Sequence, residues 1–274
     1  MSLELQILLP AFCACLVLSS LLSYLGLHVL ARGVIFVDIA LAQIAALGTA
    51  FGASRGVEPH TAESWVYSMA FTFIGAAVFA LTRRLRKQVP QEAFIGTTYA
   101  VAAAAAVLIA NTLPHGDEEI KEILIGSLLT VTFKEVLATL GIFLLVGALH
   151  FFLRKRFLAL SFGEDEKAEG WAHIGWDLAF YMSFGVVIAS SVHMAGVLLV
   201  FSFLVVPAVF SALFTQSLWL RLVMAWVLSA VVSATGLWAS FKFDWPTGAA
   251  VVVTFGAALV LGAIGRTLRR TSAA

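Results

Sequence analysis

Residues 196–214 read GVLLVFSFLVVPAVFSALF, nineteen successive positions without a charged side chain. A helix needs about 20 mainly apolar residues to cross a hydrocarbon layer, so this stretch is one crossing rather than part of a water-facing surface. The same reading, carried outward, gives apolar helices at 5–31, 33–53, 66–82, 91–111, 133–153, 174–192, 195–213, 217–240 and 246–265. The predicted fold class is all-α, a polytopic transmembrane helix bundle of about nine spans. Eight or ten are also compatible, because 66–82 is short and the chain around Gly196 fits two short helices or one re-entrant segment equally well.

Composition points the same way. Of 274 residues, 61% are hydrophobic and only 12% charged, where a soluble domain is about a quarter charged. The mean hydropathy of +0.98 is spread along the chain and leaves no stretch for a separate soluble catalytic domain, so residues 1–274 read as a single transmembrane domain. Basic residues lie in short clusters between apolar runs and the net charge is +1, which excludes a nucleic-acid-binding face. Cys13 and Cys15 are the two cysteines; two positions apart on a helix they point about 200° away from each other, against a disulfide or zinc pair. Residues 5–31 are too long and too polar at their far end for a cleaved leader and read as a retained span.

Cytoplasmic loops carry the excess of Lys and Arg. Arg32, Arg83, Arg84, Arg86, Lys87, Arg154, Lys155, Arg156, Lys167, Arg221, Arg266, Arg269 and Arg270 fall on one side of a nine-span chain, leaving Arg55, Lys121, Lys134 and Lys242 on the other. This places the N terminus outside and the C terminus in the cytoplasm. The outer loops then hold Glu58, His60, Glu63, His115, Asp117, Glu118, Glu119 and Glu122. Such an acidic mouth is either a solvated loop from which basic residues are excluded or a surface that attracts cations and docks a partner.

Within the spans, Ala40, Ala42, Ala45, Ala46, Gly48 and Ala50, and again Ala100 with Ala102 to Ala106, supply small residues suited to close helix packing. Ionisable groups inside a membrane are costly and become functional candidates. Asp38 lies about 7 Å inside the start of the second span at 1.5 Å per residue, and Gln43 lies deeper. Five residues apart, they point about 140° away from each other, so one of them at most lines a straight path. Asp38 is either a transport residue or an interfacial carboxylate paired with Arg32 or another cation. His28, His150 and His193 sit near span ends, where interfacial hydrogen bonding accounts for them. Asp177 and Asp244, beside Trp176 and Trp245, read as interfacial helix-start residues.

No G-x-x-x-x-G-K-[ST] occurs, so nucleotide is not cradled by that device and any ATP is hydrolysed by another subunit. H-E-x-x-H and G-x-S-x-G are absent as well, and the chain is expected not to be an enzyme. Pro207 frees a backbone carbonyl inside an apolar run and bends or ends the helix; residues from Ala208 to Gln216, Ala212 included, are expected to leave the bundle as a short cytoplasmic helix that a soluble partner could grip.

The stretch from Val192 to Phe214, VHMAGVLLVFSFLVVPAVFSALF, resembles a motif of the ABC-3 class of metal-ion permeases, and ASFKFDWPTGAAVVV, Ala239 to Val253, is similar to a second. EAFIGTTYAVAAA, Glu92 to Ala104, and the long first span with its basic turn at Arg32 also fit, so the resemblance runs nearly end to end. It implies the permease of a bacterial inner-membrane importer for zinc, manganese or iron. It further implies a homodimer joined to two cytoplasmic ABC ATPase subunits and fed by an extracytoplasmic metal-binding protein. The chain itself is expected to bind no cofactor, the divalent ion being cargo, with Asp38 the candidate metal contact. One departure matters: the family carries G-D-x-x-S-H-A in the second span, whereas aligned to Gly48 this chain has Gln43 for the His, Ala42 for the Ser and Ile39 for the Asp. A neutral amide is a poorer ligand than imidazole for borderline metals, so a free ion meeting few ligands and a chelated metal of siderophore, haem or cobalamin type are both open, with an ion-coupled secondary transporter as the reading from another class.

Overall fold

The computed structural model describes residues 3–58, 61–85, 88–113, 126, 128–163 and 171–271. Among these there is no strand, and nine helices are long and apolar enough to cross a membrane. The helices are α1 (Leu3–Arg32), α2 (Val37–Ser54), α3 (Ala62–Thr82), α4 (Gln91–Ala110), α5 (Phe133–Phe152), the short α6 (Arg154–Phe162), α7 (Trp171–Ala195), α8 (Val197–Phe214), α9 (Leu218–Phe243) and α10 (Thr247–Thr271). All except α6 are the spans, and they coincide with the nine predicted ones.

Local chemistry sets their ends. The third span is longer than predicted because Thr61 caps it: its hydroxyl accepts from Ser64 N at 3.2 Å and donates to Glu58 O at 2.8 Å. At the start of α5, Thr132 and Glu135 form a reciprocal capping box, with Thr132 N donating to Glu135 Oε2 at 2.7 Å and Glu135 N to Thr132 Oγ1 at 3.3 Å. Gly196, at φ +76°, separates α7 from α8 by one residue, so this region is two spanning helices rather than a re-entrant segment. Asp244, expected at a helix start, instead ends α9 in the left-handed conformation at φ 54°, a role a short polar side chain can fill.

Pro207 does not end its helix; α8 continues to Phe214. A proline inside a membrane helix is tolerated when its neighbours hold the backbone in place, and here they do. Phe203 meets Phe255 of α10 edge to face at 5.1 Å, and Ala208 is wholly buried. At Gly26 of α1 an added Cβ would strike the Leu204 carbonyl and come within 3.3 Å of Ala208 Cβ.

The chain forms two compact units. One comprises Met1–Leu30, Ile125–Phe143 and Met194–Ala274. In it α8, α9 and α10 pack on one another, and Trp226 Nε1 on α9 donates to Ser20 O on α1 at 3.0 Å. The other comprises Ala31–Leu124 and Leu144–His193. Its α2 is buried on nearly every side and packs on α3 and α4. The small residues of α2 act as packing surface: a Cβ on Gly48 would lie 2.7 Å from Tyr67 O, and Ala45 packs with Met69 of α3 and Ala189 of α7. In α4 only Ala102, Ala106 and Ala110 are buried among the alanines, while Ala100 and Ala104 are exposed.

Candidate functional site

Asp38 occupies the first turn of α2 and is buried. No side chain caps this turn, since the preceding position is Phe36. Neither carboxylate oxygen has a hydrogen-bond partner of good geometry among the described residues; the nearest donors are the amides of its own turn, Asp38 and Ile39. Those amides carry the positive end of the helix dipole, which favours a negative charge at this position. Gln43, one and a half turns on, is also buried in the same unit.

The pairing of Asp38 with Arg32 does not occur. Arg32, the last residue of α1, turns to Asp177 of α7: Nη1 donates to Oδ1 at 3.0 Å, Nε donates to Ser161 Oγ at 2.8 Å, and the guanidinium lies 3.8 Å above the Phe180 ring. Arg83, just past α3, binds the second oxygen of Asp177. Asp177 is thus not an interfacial helix-start residue but the buried centre of an Arg–Asp–Arg cluster joining α1, α3 and α7, with α6 attached through Ser161. Sequence reasoning missed it because the partners lie 94 and 145 residues apart and no periodicity connects them. Glu92, opening α4, accepts from Ile35 N at 2.8 Å and ties down the turn between α1 and α2.

The histidines near span ends are held by hydrogen bonds or rings. His150 Nε2 lies 2.9 Å from Ser183 Oγ, His193 Nδ1 donates to Ala189 O at 2.8 Å, and His28 meets Tyr24 at 4.7 Å. Pro207 and Ala208 are buried, Ala212 is half-buried, and the exposed positions begin at Gln216. His60, His115, Asp117, Glu118, Glu119 and Glu122 lie outside the described residues; Glu58 and Glu63 beside them are exposed. Among the described residues, no group of three or more His, Cys, Asp or Glu side chains is placed to hold a metal ion.

Residues 4–266 match the sequence profile of the ABC 3 transport family. The chain belongs to that family. As a member it is a multi-pass membrane permease of an ABC transport system. It is 28% identical over 233 residues to the manganese transport system membrane protein MntC of Listeria monocytogenes, covering 81% of this chain and 80% of that one. Its fold is similar to that of PsaBC from Streptococcus pneumoniae, solved in complex with Fab, with a TM-score of 0.75, 18% identity and coverage of 95% of this chain and 91% of that chain. A metal-chelate type ABC transporter in an inward-facing conformation gives a TM-score of 0.72 at 16% identity, covering 94% and 85%.

Proposed function

We propose that the chain, acting as one transmembrane domain over residues 1–274, is the permease of an ATP-driven importer that carries a divalent transition metal (zinc, manganese or iron) into the cytoplasm. The observation that carries this reading is Asp38: a buried carboxylate with no side-chain partner, at the start of a helix that is buried along most of its length. An isolated buried charge is strongly unfavourable, and a passing cation relieves it. Gln43 in place of an imidazole leaves Asp38 with few companions, so the ion makes few direct protein contacts; the same feature favours a chelated metal as the second reading.

Two copies of the chain form the core, two cytoplasmic ATPases drive it, and an extracytoplasmic binding protein feeds it at the acidic mouth of Glu58, His60, Glu63, His115, Asp117, Glu118 and Glu119. The N terminus lies outside and the C terminus inside, as the distribution of basic residues requires. The test is uptake by vesicles containing the assembled complex, supplied with manganese, zinc or iron as free ions or as chelates. ATP-dependent accumulation of one free ion supports the first reading and accumulation of the chelate alone the second. Uptake without the ATPases would overturn both.

A further inference from the structure

The short helix α6 is not used by any of the roles above. It follows α5 after the single residue Leu153 and is basic in its first turn and mainly apolar beyond it. Phe157, Leu160 and Ser161 are buried: Phe157 packs on His150 at 4.5 Å and on Phe180 at 5.7 Å, and Ser161 receives the Arg32 Nε hydrogen bond. These contacts, all within one unit, fix how α6 is presented. Its first turn carries Arg154, Lys155 and Arg156, all exposed. The described ion pairs are Arg32–Asp177 and Arg83–Asp177, so no described carboxylate neutralises the three.

What adjoins these cations is aromatic and open. Phe151 and Phe152, closing the spanning helix α5, are 61% and 80% exposed and continue an exposed apolar face with Leu144 and Leu145, which lipid tails can solvate. The Arg154 guanidinium lies 4.5 Å from the Phe151 ring centre, and that of Arg156 5.9 Å from the ring of Trp176. Tails thus meet the phenylalanines at the height where headgroups would meet the arginines, and charge complementarity selects the headgroup.

We infer that the basic first turn of α6, Arg154, Lys155 and Arg156, with Phe151 and Phe152, is a binding site for an anionic phospholipid, whose phosphate the cations hold while its acyl chains lie on α5. Juxtamembrane basic residues attract anionic lipid with about a factor of five in affinity per cation, so removal of all three lowers affinity roughly a hundredfold. The sequence beyond α6 contains Glu164, Asp165, Glu166 and Glu169; lipid binding requires that these acids not saturate the cluster.

The experiment is thermal unfolding of the full-length protein in neutral detergent, titrated with phosphatidylglycerol, phosphatidylcholine or inorganic phosphate. Phosphatidylglycerol should raise the midpoint and phosphatidylcholine should not. In Arg154→Gln/Lys155→Gln/Arg156→Gln the rise should require about a hundredfold more lipid, while the charge-keeping Arg154→Lys/Arg156→Lys should retain it, which separates lost charge from lost fold. Equal responses to the two lipids, an unchanged titration in the triple variant, or no response of the parent would overturn the inference. So would an effect reproduced by phosphate alone, or a triple variant that loses ATPase binding in lipid-free detergent, since the face would then be a plain anion site or a protein interface.

Discussion

The Arg32 guanidinium and the Asp177 carboxylate, from the end of α1 and the second turn of α7, form an ion pair of 3.0 Å whose side chains are 5% and 0% exposed. With Arg83 on the other oxygen, one acid serves two cations. Breaking a buried pair by removing one member costs about 3–5 kcal/mol, because the partner is left charged and desolvated. Asp177→Ala takes the shared carboxylate from both arginines at once and should lower the unfolding midpoint most. Arg83→Ala, which leaves Asp177 its Arg32 contact, should cost less. Equal midpoints for the parent and Asp177→Ala would show that the cluster is not a structural tie.

Asp38 behaves oppositely. It has no side-chain partner to strand, so Asp38→Asn keeps the volume, removes a buried charge and should leave the unfolding midpoint of the metal-free protein unchanged or raised. Transport should suffer: losing a charged contact to the ion costs about 1.5–3 kcal/mol, on the order of 10–100-fold in its affinity. Uptake assays over a range of metal concentration decide this. Parental uptake by a stable Asp38→Asn protein would remove Asp38 from the path.

The span pattern was legible in the sequence because a membrane enforces one period and one length, and every one of the nine predicted segments has its helix. The third span begins before its apolar run because Thr61 caps it at Ser64 N, and the Thr132–Glu135 box marks the start of α5 in the same way; such caps are polar and leave no trace in hydropathy. Pro207 misled because a proline's effect depends on what surrounds it, and the close approach of Gly26 to Leu204 belongs to tertiary packing. The tryptophan beside Asp177 suggests an interface, but a neighbour in sequence gives only a location, whereas the ion pair depends on distant residues. Asp38 was visible as an intramembrane acid; its lack of a side-chain partner was not.

Close approach also makes two glycines irreplaceable. At Gly26 an added Cβ meets the backbone carbonyl of Leu204, and at Gly48 it lies 2.7 Å from Tyr67 O and 2.9 Å from Ser68 Cα. Backbone atoms cannot rotate away as a side chain can, so Gly26→Ala and Gly48→Ala should each destabilise by about 1–3 kcal/mol through overpacking. Gly141, in α5, has nothing within 4 Å of that position, and Gly141→Ala should be tolerated. Unfolding midpoints of the three variants compare the sites directly.

The unbroken course of α8 relocates the surface available to an ATPase. Ala208 is wholly buried, with its Cβ 3.3 Å from where Gly26 would place one, so Ala208→Glu should fail to fold and says nothing about coupling. Beyond Phe214 the chain turns, and Arg221 fixes the turn: Nε donates to Thr215 O at 2.8 Å and Nη2 to Gln216 Oε1 at 2.7 Å. Gln216 and Ser217 are exposed on it. If the segment after Pro207 grips the ATPase, Ser217→Trp should reduce ATP-driven uptake and the stimulation of ATPase activity by cargo, with the unfolding midpoint of the permease unchanged. Arg221→Gln loosens the turn without adding bulk, and should lower stimulation by a smaller factor. Parental uptake and stimulation in a folded Ser217→Trp complex would place the ATPase contact on another loop, because an indole on an exposed turn cannot be accommodated in a tight protein interface without loss.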